Sequence, residues 1–67
     1  MKIFGERLKE LREEKGLSYR QLAKELGVSS SSINSWEKEI RVASIDNLLT
    51  ICKYFNVSSD YMIGLED

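Results

Sequence analysis

Apolar residues recur along this chain at the three- and four-residue intervals of a helix. Phe4, Leu8, Leu11 and Lys15 lie four, three and four positions apart, which predicts a first helix over about 3–15 with one inward stripe and Gly16 as a left-handed C-cap. Ser18 followed by Gln21 has the spacing of a capping box and opens a second helix, 18–26, whose inward residues are Leu22, Ala23 and Leu26. Gly27 ends it, and Ser29 caps a third helix, 29–38, with Ile33 and Trp36 on its inner side. Ser44 caps a fourth, 44–55, with Ile45, Leu48, Leu49, Cys52 and Phe55 on one face and Asn56 suited to end it. Ser58 or Ser59 opens a fifth, 58–64, containing Tyr61, Met62 and Ile63, with Gly64 near its end. No stretch alternates with the period of a strand. The expected fold class is all-α, a compact five-helix domain over 1–67.

Composition narrows what such a domain can do. Sixty-seven residues, 42% hydrophobic and 31% charged with no proline, suit a small helical core in which every apolar position matters. No apolar run approaches the roughly 18 residues of a membrane span, and the start Met1-Lys2-Ile3-Phe4-Gly5 lacks the apolar stretch of a signal peptide, so no membrane is expected and the cytoplasm is the expected location. With one cysteine, Cys52, and no histidine, an internal disulfide is excluded, and neither a metal nor another cofactor is expected. The same absence removes the usual general base, so an enzyme is not expected. Ten basic against eleven acidic residues give a net charge of −1, which argues against wholesale attraction to nucleic acid. A local basic patch can still contact phosphate while the acids face elsewhere.

The informative segment runs from Gln21 to Ser29 and on to Ile33 and Trp36. Two short helices joined by a tight turn can cross steeply only where their contact is small. Ala23 supplies that contact, Gly27 can adopt positive φ, and Ile33 packs inward from the second helix. This geometry fits a helix-turn-helix made by the second and third helices.

At this point the chain resembles the Cro and lambda-repressor type of helix-turn-helix domain, the XRE family of bacterial and phage regulators. The resemblance runs from Arg7-Leu8-Lys9-Glu10-Leu11-Arg12 through Gly16-Leu17-Ser18, the motif itself and Trp36-Glu37. It continues through Phe55-Asn56-Val57-Ser58 to Tyr61-Met62-Ile63-Gly64. It implies a lambda-repressor-like fold and a sequence-specific regulator of transcription, expected to be a repressor, that binds a pseudo-palindromic operator in double-stranded DNA as a homodimer. It also implies a bacterial or phage origin.

Carried over by position, the resemblance puts the third helix in the major groove and gives base reading to Ser30, Ser31, Asn34 and Ser35. Asn34 has the strongest chemistry, because a carboxamide can pair with N6 and N7 of adenine. Serine hydroxyls are short and indiscriminate, so water and DNA shape are expected to supply much of the specificity. Phosphate contacts fall to Ser18, Tyr19, Arg20, Ser29, Lys38, Arg41 and Ser44. Three positions depart from the family pattern: Tyr19 where glutamine is common, Glu39 where glycine is common, and Ala43 where proline is common. Glu39 would bring a carboxylate close to the expected phosphates.

Arg12 and Glu37 interrupt inward-tending faces, and the resemblance implies an ion pair between them. Trp36 and Cys52 are expected in the core. Ile51 and Tyr54 fall off the main stripe of the fourth helix and Tyr61, Met62 and Ile63 crowd a short element, so these five are expected to form the dimer surface. An antitoxin-like or adaptor module that binds a protein partner on the same fold is the alternative reading. The chain is either complete in itself or the DNA-binding part of something longer.

Overall fold

Four of the five helices begin where a serine hydroxyl can satisfy a backbone N–H left free by the first turn. In a computed structural model, which describes residues 2–66, these are α2 (Tyr19–Leu26), α3 (Ser30–Glu37), α4 (Ile45–Phe55) and α5 (Ser59–Ile63), preceded by α1 (Lys2–Glu14). Ser18, Ser29, Ser44 and Ser58 accept from the backbone N–H three residues on, at 3.1, 3.2, 3.1 and 3.0 Å. At α2 the box closes reciprocally, with the Ser18 N–H donating to Gln21 Oε1 at 2.8 Å. Among the described residues no such cap precedes α1. Its Gly5 N–H donates to the carboxylate of Glu39, 34 residues away, at 2.6 Å.

One residue from each helix meets the others at the centre: Leu8, Leu22, Ile33, Ile51 and Met62 are fully buried. Burying each of these side chains stabilises the fold by about 1.5–3 kcal/mol before ordering costs are counted. Phe4, Ala23, Leu26, Trp36 and Cys52 complete the buried cluster, and Leu11, Leu48, Phe55 and Val57 pack against it.

This arrangement corrects three expectations. On α4 the inward stripe is Leu48, Ile51, Cys52 and Phe55, a clean i, i+3, i+4, i+7 set, while Ile45 and Leu49 are 75% and 48% exposed. Ile51 and Met62 are therefore core residues and cannot contribute to a surface for a second copy. Lys15 lies past the end of α1 and is exposed, with its ammonium 4.7 Å from the centre of the Tyr54 ring rather than turned inward.

The turn between α2 and α3 depends on Gly27, whose φ of 72° and ψ of 32° lie in the left-handed region. The N–H groups of Gly27 and Val28 both reach Ala23 O, the latter at 3.0 Å, and Ser29 returns at once to extended backbone to cap α3. A side chain at Gly27 would carry the left-handed penalty, about 1–2 kcal/mol. α1 packs on α3 and α4 on α2, while α5 packs on both α1 and α4. Among the described residues no helix is long and apolar enough to cross a membrane.

Candidate nucleic-acid interface

α3 buries Ile33 and Trp36, holds the Glu37 carboxylate inward and leaves its serines and Asn34 at least partly exposed. Ser31 is exposed and Ser30, Asn34 and Ser35 are half-exposed, so all four residues assigned to base reading reach the surface. Ser29 is the hub of a hydroxyl cluster: its Oγ lies 3.1 Å from Ser31 Oγ and 2.9 Å from Ser32 Oγ while accepting the Ser32 N–H. These serines retain unused hydrogen-bonding capacity, but their local bonds bias their rotamers toward the helix start.

The chain after α3 folds back over it. Lys38 ends the helix, and Glu39 takes φ 59° in the left-handed region. The Glu39 N–H donates to Trp36 O at 3.3 Å, and the Ile40 and Arg41 N–H groups donate to Ser35 O at 2.9 and 3.3 Å. The first two of these bonds form a Schellman closure, in which glycine is the usual residue at the position of Glu39. The closure brings Arg41 beside Ser31, Ser32 and Ser35, and the four residues line one open polar concavity. Ser32 was missed at the sequence level. Its three-residue spacing from Ser35 was the available signal, obscured by its place within a capping tract.

Among the residues assigned to phosphate, Arg20, Lys38 and Arg41 are exposed cations on or beside the motif. Ser18 and Ser44 accept N–H groups through Oγ and keep a hydroxyl proton to donate outward. Tyr19 is half-buried, with its ring 4.5 Å from the Arg12 guanidinium carbon. The Glu39 carboxylate is turned to the start of α1, where it accepts the Gly5 N–H.

Behind this surface Arg12 clasps α3. Its Nε donates to Glu37 Oε2 at 2.7 Å, its second amino nitrogen donates to Glu37 Oε1 at 3.1 Å, and its remaining nitrogen donates to Leu17 O at 2.8 Å. The Arg12 and Glu37 side chains are 12% and 2% exposed. The hydrogen bond to Glu37 raises the Arg12 pKa above its ordinary value, against the lowering by burial. The pair holds the end of α3 to α1.

The residues assigned to a dimer surface separate. Ile51 and Met62 are buried, whereas Tyr54, Tyr61 and Ile63 are half-exposed. Tyr61 lies under the Arg7 guanidinium at 4.1 Å. Among the described residues, Ile40, Val42, Ile45, Leu49 and Leu65 are the large apolar side chains that stand out into solvent.

Comparison with known proteins agrees with this geometry. A family model described as helix-turn-helix matches residues 8–62. The HTH-type transcriptional regulator ImmR of Bacillus subtilis is 32% identical over 63 residues, covering 94% of this chain and 50% of ImmR. The chain thus spans about half the length of that relative. The P22 c2 repressor, solved with a synthetic operator, superposes with a TM-score of 0.85 at 31% identity over 92% of this chain and 94% of that one. The N-terminal DNA-binding domain of SinR from Bacillus subtilis gives 0.85 at 31% identity over 100% and 96%. Since sequence and fold agree over nearly its whole length, the chain belongs to the helix-turn-helix family of the Cro and lambda-repressor type, also called the XRE family.

Proposed function

We propose that this chain binds double-stranded DNA sequence-specifically and regulates transcription, acting as a repressor by occupying an operator. The observation that carries the reading is the outward row of hydrogen-bonding side chains on α3 with Arg41 seated beside it, on a frame shared with a repressor solved on its operator. α3 enters the major groove, where Asn34 reads adenine and Ser30, Ser31 and Ser35 make short or water-mediated contacts. Ser18, Tyr19, Arg20, Ser29, Lys38, Arg41 and Ser44 hold the phosphates on either side.

In this reading two copies bind half-sites about 34–36 Å apart, one helical turn. With Ile51 and Met62 inside the core, the exposed Val42, Ile45 and Leu49 support association through the outer side of α4 and the loop before it. The protein acts in the cytoplasm of a bacterium or of a phage-infected cell.

Selection of random duplex DNA by the purified chain at two salt concentrations tests the proposal. The expected result is an enriched, approximately palindromic site whose affinity falls steeply with salt. Salt-sensitive retention without enrichment, or no retention, refutes sequence-specific operator binding.

A further inference from the structure

The loop that holds Arg41 is tied through Glu39 to a helix distant in sequence. Glu39 occupies the left-handed position of the Schellman closure, φ 59°, where a glycine would avoid a steric cost. Its carboxylate accepts the Gly5 N–H at the start of α1. That end of α1 sits directly on the end of α3: a Cβ at Gly5 would stand 2.5 Å from Glu37 O and 2.8 Å from Trp36 O, and would also clash with the Glu39 carboxylate. The positive end of one helix dipole thus meets the negative end of another, with a carboxylate completing the junction. Two residues on, the Arg41 N–H is bonded to Ser35 O and Arg41 lines the concavity with Ser31, Ser32 and Ser35.

From this geometry we infer that Glu39 is a positioning residue for DNA binding, in which the hydrogen bond from Gly5 N–H to the Glu39 carboxylate holds the loop so that Arg41 stays beside the reading face of α3. The inference rests on the DNA-binding reading above. It reverses the sign that charge alone would give, because an acid near a phosphate contact should weaken binding and its removal should strengthen it. Here removal weakens binding, since the loop loses its tether and Arg41 must be ordered at the moment of binding.

Two variants with the same loss of charge separate these effects. Glu39→Gln keeps an oxygen that can accept the Gly5 N–H, whereas Glu39→Gly removes the acceptor and also relieves the left-handed strain, so it folds. With the selected duplex, Glu39→Gln is expected to bind at least as tightly as the unaltered chain and Glu39→Gly about threefold to tenfold more weakly, tenfold being about 1.4 kcal/mol. In an Arg41→Ala background the difference between the two variants disappears. Exchange of the Gly5 amide proton, followed by NMR without DNA, is slow in the unaltered chain and in Glu39→Gln and fast in Glu39→Gly.

Equal or tighter binding by Glu39→Gly overturns the inference, as does a Glu39→Gln variant that binds as weakly, or a difference that survives in Arg41→Ala. A fast-exchanging Gly5 amide in the unaltered chain overturns the tether while leaving the DNA reading intact. Failure of the unaltered chain to bind any duplex overturns the DNA reading, and the role of Glu39 in it falls with that reading even where Gly5 exchange is slow.

Discussion

Replacing Arg12 by alanine tests how much of the fold depends on one buried ion pair. The substitution removes two hydrogen bonds to Glu37, at 2.7 and 3.1 Å, and one to Leu17 O at 2.8 Å. It leaves the Glu37 carboxylate, only 2% exposed, without its cation. Breaking one side of such a pair costs about 3–5 kcal/mol, because the remaining charge stays desolvated. A chain of 67 residues has a total stability of about 3–10 kcal/mol at the usual yield per residue. Arg12→Ala should therefore remove a third of the stability or more, lowering the melting temperature by about 12 °C or more at 4–8 °C per kcal/mol. Urea unfolding followed by helical circular dichroism and by Trp36 fluorescence measures this directly. Trp36 is 5% exposed and adjoins Glu37, so its emission reports the same junction. Replacing both partners completes the test: the double variant Arg12→Met/Glu37→Leu should recover most of the lost stability, since no charge is then stranded. A loss below about 1 kcal/mol for Arg12→Ala, the range of exposed pairs, would refute the argument that this pair is buried and cooperative.

The DNA-facing side chains separate by type. Asn34→Ala should relax preference at one or two base pairs, by about 1–3 kcal/mol, whereas Arg41→Ala should weaken all duplexes alike and make the salt slope shallower by about one phosphate; competition binding against single-base variants at several salt concentrations distinguishes the two. Gly5→Ala should destabilise by about 1–3 kcal/mol despite the better helix propensity of alanine, because its Cβ meets the Glu37 and Trp36 carbonyls; a chemical melt no lower than that of the unaltered chain would show that the helix junction yields. Burial raises the Cys52 thiol pKa, so above the ordinary thiol value of about 8.5 the unfolded chain sheds a proton that the folded chain keeps, and stability should fall as pH rises through that range. A Cys52→Ala variant, compared across the same pH series, should lose that alkaline component.

The helices and their starts were legible along the chain because a cap and its partner lie three residues apart. Ser18, Ser29 and Ser44 each satisfy an N–H within their own first turn, so no distant contact was needed to find them. The motif was legible for the same reason: Ala23, Gly27 and Ile33 meet requirements set by one short turn. The buried side of α4 could not be settled in this way. Ile45 with Leu49 and Ile51 with Leu48 complete equally good helical stripes, and the three- and four-residue spacing of Phe4, Leu8 and Leu11 carried on to Lys15 with no signal that the helix had ended. What put Ile51 and Met62 at the centre was the convergence of five helices on one small core, to which each gives one fully buried side chain. The direction of Glu39 was likewise invisible, since its partner at Gly5 lies 34 residues away and exists only because the start of α1 is stacked on the end of α3. Local hydrogen bonding and periodicity determined the elements and the motif, whereas burial and the cross-chain junctions of a small core depend on which helices share it, a property of the assembled fold alone.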